Sequence, residues 1–192
     1  MRVLAGWLGA LFYALGQGVL PAGRFGRALA RQFLRQSLTF SPQHHRARSY
    51  LDYLLGVRDM EGGDPQAALP LLRRAAKALP ADAAVRLDAA IVMTACGEYQ
   101  SAEAEFNRLL QEHPRRVRNE PQLWFALAWS QLRLGQYSRC EATARRGAEA
   151  GAATVQLRLA ALLAGFGNGT ALDEEGLQQV LNTRPQLLPH LL

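Results

Sequence analysis

The sequence predicts an all-α protein built from helical hairpin repeats. Two stretches superimpose at a spacing of 34 residues, and the chain is 49% hydrophobic and 20% charged, as folded proteins are. A period of this length is typical of helical repeats, in which each unit buries its apolar face only against its neighbours. The positions that recur are Gly63 as Gly97, Asp64 as Glu98, Ala68 as Ala102, Leu72 as Phe106, and Pro80 as Pro114.

The N-terminal segment, residues 1–23, is predicted to be an apolar helix. Residues 3–23 carry no formal charge, and a helix of these 21 residues is long enough to span a membrane. We therefore expect this segment to be a membrane anchor. Because more arginines follow the segment than precede it, the repeats are expected on the cytoplasmic side. Small residues spaced by four would let another helix pack closely along this one. They are Gly6, Ala10, Ala14 and Gly18.

A second interpretation treats residues 9–42 as a degenerate first repeat. Gly23 and Pro42 would bound its second helix as Gly63 and Pro80 bound that of the next repeat, with two additional residues between them. The apolar helix would then be buried by its neighbour rather than by lipid. In that case the protein is a soluble cytoplasmic scaffold.

Residues 24–48 are predicted to form a basic amphipathic helix and a linker. The first acidic residue of the chain is Asp52, and seven arginines precede it. Such a helix can lie on anionic lipid headgroups, or it can present an ordinary solvated face of a repeat. The arginines that share one side of this helix are Arg24, Arg27, Arg31 and Arg35.

The body of the chain, residues 49–151, is predicted to contain three hairpins, at 49–82, 83–114 and 119–151. In the first, Gly63 permits a sharp turn, Asp64 caps the following helix and Pro65 suits its first position. The third hairpin is displaced by four residues, and the extra turn falls in the basic segment 115–118. Residues 152–192 depart from the pattern and are predicted to form a degenerate capping repeat and a tail.

These hairpins resemble the tetratricopeptide repeat, whose pattern W-x2-L-G-x2-Y is followed by small, aromatic and proline positions. The resemblance implies a right-handed α-solenoid that binds a protein or peptide partner on its concave side. The third unit departs from the pattern by carrying Ala128 where glycine is usual. The matching residues are Leu55, Gly56, Ala68, Ala75 and Pro80 in the first unit, Tyr99, Ala102, Phe106 and Pro114 in the second, and Trp124 and Leu127 in the third.

The groove positions of that family, carried over residue by residue, form an apolar and aromatic surface here. Rigid aromatic side chains supply much of the affinity of protein interfaces. The alternative is that several of them pack against a neighbouring helix. The predicted groove residues are Tyr50, Tyr53, Val57, Leu87, Ile91, Phe125 and Trp129, with Arg133 beside them.

No motif indicates catalysis, a cofactor or a metal site. His44 and His45 stand together without a carboxylate or a second ligand at helical spacing, and Cys96 and Cys140 are far apart in the sequence. The basic segment lacks interleaved aromatic residues, so nucleic-acid binding is not predicted. The leading hypothesis is a membrane-tethered adaptor that binds a protein partner, as an assembly factor or as a subunit of a membrane complex.

Overall fold

The computed structural model describes residues 2–20, 23–170 and 173–183, and within those ranges it contains helices and no strands. The all-α class predicted from the sequence is therefore confirmed. The helices are α1 (Arg2–Val19), α2 (Gly23–Phe40), α3 (His45–Glu61), α4 (Pro65–Ala78), α5 (Ala83–Ala95), α6 (Tyr99–Glu112), α7 (Pro114–Val117), α8 (Pro121–Arg133), α9 (Tyr137–Glu149), α10 (Val155–Gly167) and α11 (Glu174–Thr183).

The chain divides into two compact units, an N-terminal unit of residues 1–92 and a C-terminal unit of residues 93–192. In the N-terminal unit α1 packs on α2, α2 on α3, and α3 on α4. In the C-terminal unit α8 packs on α6, α9 and α10, while α10 also packs on α9 and α11. Consecutive helices joined by short turns therefore form hairpins in both units.

Five helix ends share one backbone arrangement. At the end of α3, Gly63 has a φ of 83°, and the N–H of Asp64 donates to the carbonyl of Asp59 over 2.9 Å. A positive φ is strained for a residue with a Cβ, so this helix end selects glycine. Asp64 then caps α4, since its Oδ1 accepts from the N–H of Ala67 at 2.9 Å. The other glycines with positive φ are Gly97, Gly135, Gly151 and Gly169.

The α1–α2 hairpin is built around the same close contact as the α3–α4 hairpin. A Cβ placed on Gly16 would lie 3.2 Å from Cγ of the buried Leu34. A Cβ placed on Gly56 would lie 2.6 Å from Cγ of the buried Leu72. Each glycine thus makes room for a leucine of the following helix. Gly16 and Leu34 are two residues further apart in the sequence than Gly56 and Leu72 are. The interpretation of residues 9–42 as a first repeat assumed the same two additional residues.

The expectation of a membrane span over residues 3–23 needs correction. α1 ends at Val19, and none of the helices in the described ranges combines the length and the apolar character needed to cross a bilayer. Four glycines and Gln17 dilute the apolar character of α1. The helix α2 covers one side of α1, and Ser37 Oγ of α2 donates to the carbonyl of Gly9 over 2.7 Å.

The small-residue stripe predicted on α1 is not the surface that α2 contacts. Its four members, Gly6, Ala10, Ala14 and Gly18, are all exposed. A Cβ on Gly6 or Gly18 would meet nothing within 4 Å. The close approach occurs instead at Gly9 and Gly16, which lie seven residues, or two helical turns, apart.

Two tyrosines of α3 fasten the core of the N-terminal unit. Tyr50 and Tyr53 pack against buried side chains that include Leu54 and Val85. The Tyr50 hydroxyl donates to Asp82 Oδ2 over 2.7 Å, and the Tyr53 hydroxyl donates to Asp88 Oδ2 over 2.8 Å. Burial raises the pKa of both phenols above the ordinary value, and the aspartates raise it further.

The C-terminal unit has a core of large side chains and one inserted turn. Gly147 of α9 approaches Trp124 of α8 so closely that a Cβ would lie 2.9 Å from the indole. The extra turn predicted in the basic segment 115–118 forms α7. Trp124 Nε1 donates to the carbonyl of Arg118, just after α7, over 2.6 Å. The guanidinium of Arg146 lies 5.5 Å from the centre of the indole ring. The core side chains include Phe106, Leu109, Leu123, Leu127 and Leu157.

Substituting Gly16 tests whether α1 is part of the fold. Gly16→Leu should destabilise the protein by about 1–3 kcal/mol, because the new side chain must displace Leu34. In a chain of this size the melting temperature should fall by roughly 2–10 °C, as followed by circular dichroism. Gly6→Leu is the matched control, since Gly6 faces open space and leucine is a better helix former than glycine. Equal melting temperatures for the two variants would mean that α1 does not pack on α2 in this way.

Alkaline pH should weaken the N-terminal unit through its tyrosines. Because the folded state holds the phenolic protons more tightly than the unfolded chain, this stabilisation is complete below the ordinary pKa of about 10 and is lost as the pH rises above it. Urea unfolding at pH 8 to 12 should therefore show a steeper loss of unfolding free energy for the wild type than for Tyr50→Phe/Tyr53→Phe. Parallel pH profiles would contradict the tyrosine–aspartate bonds. At pH 8 each single variant should cost about 1 kcal/mol, as loss of one hydrogen bond usually does.

Candidate functional site

The predicted groove residues of the N-terminal unit are only partly accessible. Leu87 is buried, and the other four, Tyr50, Tyr53, Val57 and Ile91, are half-buried. The two tyrosine hydroxyls are already engaged with aspartates of the same unit. The two tyrosines therefore join α3 to Asp82, just before α5, and to Asp88 of α5, and the role of all five residues in partner binding stays a prediction.

The predicted groove residues of the C-terminal unit form one row on α8. Phe125, Trp129 and Arg133 lie four residues apart, so they share one side of the helix; we name this row the α8 face. The two aromatic rings are half-buried, with centroids 6.0 Å apart and planes tilted by 35°. Arg133 is exposed, and its Cζ lies 5.3 Å from the centre of the Tyr99 ring. A cation held over an aromatic ring is attracted to it, so the guanidinium is positioned rather than free to swing.

Buried hydrogen bonds hold α8 in place behind this face. Thr94 Oγ1 and Ser130 Oγ lie 3.1 Å apart, and both residues are buried. Glu103 of α6, 7% exposed, accepts from Gln131 Nε2 at 3.2 Å and forms an ion pair with Arg139 at 2.8 Å. A buried carboxylate requires such partners, and here they link α6 to both α8 and α9.

The sequence reasoning missed the acceptors of these bonds, Asp82, Asp88 and Glu103. A usable signal was present, because several pairs of side chains that bond to each other lie about one repeat apart in the sequence. The bonded pairs are Arg27 with Glu61, Tyr50 with Asp82, Tyr53 with Asp88, Thr94 with Ser130, and Glu103 with Gln136. Polar positions that recur near the repeat period were therefore candidates for bonds between adjacent hairpins.

The arginine row predicted to meet a membrane surface is not uniformly exposed. Arg27 of α2 forms an ion pair with Glu61 of α3. Arg31 is half-buried, Arg35 is exposed, and the side chain of Arg24 lies outside the described residues. The row thus contributes to the contact between α2 and α3 as well as to the surface.

Large apolar side chains stand exposed on the α1–α2 hairpin. Trp7 and Phe25 are each 75% exposed, and Leu11 is 54% exposed. Apolar surface of this kind commonly marks an interaction site. The same hairpin carries Phe12, which stacks on Phe40 with centroids 5.5 Å apart, so aromatic contacts also serve the packing of α1 on α2.

The titratable groups of the described residues include no metal cluster, and one cysteine thiol among them has a raised pKa. No cluster of three or more His, Cys, Asp or Glu side chains that could hold a metal occurs within the ranges given above. Burial raises the pKa of the Cys140 thiol to about 12, so it stays protonated at neutral pH. Its Sγ lies 3.6 Å from the carbonyl oxygen of Ala160 inside the core.

A groove runs between α9 and α10 in the C-terminal unit. Its volume is about 350 Å³. We name it the α9/α10 groove. Its floor includes Ala144, Leu157 and Ala161. Its rim includes Glu141, Arg145 and Arg158. A smaller cavity of about 230 Å³ lies beside Trp124, Arg118 and Arg146.

The comparisons with known proteins identify the repeat and the fold. The family model of the tetratricopeptide repeat matches residues 59–119. No curated protein matches the sequence significantly. Because the structural similarities below involve sequence identities under 25%, they show the fold alone.

Two solved structures illustrate the similarity. MamA from Desulfovibrio magneticus RS-1, from its residue 41 to its end, aligns with a TM-score of 0.66 at 12% identity, covering 93% of this chain and 96% of that chain. A tetratricopeptide repeat protein from Parabacteroides merdae aligns with a TM-score of 0.66 at 18% identity, covering 94% of this chain and 68% of that chain. Residues 59–119 therefore belong to the tetratricopeptide-repeat family, and the chain has the fold of a tetratricopeptide-repeat protein.

Proposed function

We propose that this protein is a tetratricopeptide-repeat scaffold that binds a protein or peptide partner, with the α1–α2 hairpin as its first repeat. Repeat folds present rows of side chains from successive helices, and such rows serve binding rather than chemistry. The observation that carries the proposal is the α8 face, on which two partly exposed aromatic rings and an exposed arginine stand in one row.

The α8 face is better suited to a partner than the tyrosines of α3. Tryptophan and arginine are enriched among the residues that dominate binding energy in protein interfaces. Trp129 and Phe125 hold each other at a fixed tilt, and the buried bond between Thr94 and Ser130 fixes the helix behind them. Since these side chains are ordered before binding, little conformational entropy is lost when a partner docks.

The chemistry of the α8 face describes the partner segment. The two tilted rings offer an apolar surface for an aromatic or branched aliphatic side chain. One turn further along α8, Arg133 offers a guanidinium to a carboxylate, and the Tyr99 ring keeps it in place. A segment with an apolar anchor and a nearby acidic residue fits this arrangement.

The proposal leaves out the membrane tether. Packing of Gly16 against Leu34 supports the hairpin as a repeat, and the ion pair between Arg27 and Glu61 engages part of the arginine row within the fold. We therefore assign these residues to the assembly of the N-terminal unit, and we assign no catalytic role to the protein.

Trp129→Ala should weaken partner binding without unfolding the protein. A photoreactive amino acid in place of Phe125 would capture the partner, which mass spectrometry identifies and which is then purified for titration calorimetry. Loss of a dominant interface tryptophan typically costs 2 kcal/mol or more, so the Kd should rise about 30-fold or more. Phe166→Ala is the matched control, because Phe166 lies on α10 of the same unit and is 59% exposed.

Two results would count against the α8 face. One is a Kd that is unchanged in Trp129→Ala or that changes equally in Phe166→Ala. The other is a fall in melting temperature of more than about 10 °C in Trp129→Ala, as expected for loss of a core side chain. That result would place Trp129 in the packing of α8.

A further inference from the structure

The α9/α10 groove has the character of a docking site for an apolar segment. Its floor is made by Ala144, Leu157 and Ala161, and Arg145 and Arg158 stand at its rim. Alanines on adjacent helices leave space between the helices that larger side chains can fill. The groove volume of about 350 Å³ has room for several aliphatic side chains.

α11 brings the chain to the edge of this groove. Arg158, in the first turn of α10, donates from Nη2 to Gln179 Oε1, in the second half of α11, over 3.1 Å. Because only six residues join the end of α10 to the start of α11, this bond makes the two helices antiparallel, and the chain moves toward the start of α10 as α11 proceeds. From Gln179 to the end of α11 at Thr183 is about one turn, roughly 6 Å. Thr154, at the start of α10, lines the groove.

The sequence that follows α11 has a matching composition. Residues 184–192 lie outside the described ranges, and they contain two leucine pairs and a single formally charged side chain, Arg184, which precedes both pairs. Nine residues can extend up to about 30 Å. The groove runs along α10 from Thr154 to Ala161, about 10 Å at the helical rise of 1.5 Å per residue. The segment can thus reach every part of the floor. The pairs are Leu187 with Leu188 and Leu191 with Leu192.

We propose that residues 184–192 of the same chain occupy the α9/α10 groove, with their leucines on its alanine floor. The leucines leave water when they dock, which is the driving force. Because the segment is attached next to the groove, its effective concentration there is in the millimolar range. A separate apolar segment of equal affinity would need a higher concentration to displace it. The groove is then an intramolecular docking site on helices other than α8, and its occupancy does not depend on the partner proposed above.

Cysteine cross-linking of the full chain tests the proposal. In a Cys96→Ser background, the Ala148→Cys/Leu188→Cys variant joins the groove wall to the segment. Mild oxidation should form an intrachain disulfide in more than half of the molecules, mapped by mass spectrometry of peptides, at a yield independent of protein concentration. The matched control is Ser101→Cys/Leu188→Cys, since Ser101 is exposed on α6 of the same unit. Its yield should be at least tenfold lower.

The alternative outcomes overturn the proposal. A disulfide between two chains, seen as a dimer that increases with concentration, would mean that a second copy fills the groove. Equal yields for the two cysteine pairs, or no disulfide in either, would mean that the segment does not dock there. Hydrogen exchange gives an independent reading. In Leu187→Asp/Leu188→Asp, residues 155–161 of α10 should exchange at least fivefold faster than in the Gln186→Asp control, and unchanged exchange would also reject the proposal.

Discussion

The α1–α2 and α3–α4 hairpins depend on positions where a helix carries no side chain. Leu34 fills the space left by Gly16, and Leu72 fills the space left by Gly56, at separations that a Cβ would reduce to 3.2 Å and 2.6 Å. Because protein interiors are close-packed, such a contact fixes both the distance between two helices and the point at which they cross. The placement of every other side chain in the hairpin follows from that crossing.

Fixed crossings explain why polar contacts recur at about one repeat. When successive hairpins are spaced alike, a residue on one helix faces the residue about 34 positions later, as Tyr53 faces Asp88 and Thr94 faces Ser130. Buried polar groups need partners, so a polar side chain at such a position is tolerated when its counterpart is polar too. These pairs hold helices of neighbouring hairpins in register, and in that register Arg133 of the α8 face lies over the Tyr99 ring of α6.

The fold could be predicted because its signals are local. Gly63 and Gly97 both have a φ of 83°, which is strained for any residue with a Cβ. Glycine therefore recurs in the sequence after the first helix of each of these hairpins. The environment of α1 could not be predicted in this way. Which side of α1 packs within the protein depends on residues far along the chain, here Leu34 and Ser37. The small residues that α2 contacts are seven apart, whereas the stripe noticed in the sequence repeats every four.

The site could be predicted to the level of helix and side, but not to the level of which side chains stay available. Family positions led to α3 and α8 alike. Only the structure distinguishes Tyr53, whose hydroxyl is bonded to Asp88, from Trp129, whose ring is partly exposed. The burial of a side chain and the group to which it hydrogen-bonds depend on three-dimensional packing. A single sequence records that packing only where two positions are related, such as polar residues one repeat apart. The recurrence of polar residues near the repeat period was one such record in this sequence.

The two surfaces of the C-terminal unit differ in what they can select. An alanine-lined groove accepts large aliphatic side chains with little preference for their orientation, since its floor offers no hydrogen bonds. The α8 face sets two rings at 35° to each other and adds a cation, so it discriminates by geometry and by charge. A segment already attached nearby needs no discrimination, whereas a separate partner does. The groove therefore suits the chain's own leucines, which are attached close to it. The α8 face, whose rings and cation are held in a set orientation, suits a separate partner, so the two ligands need not compete for one surface.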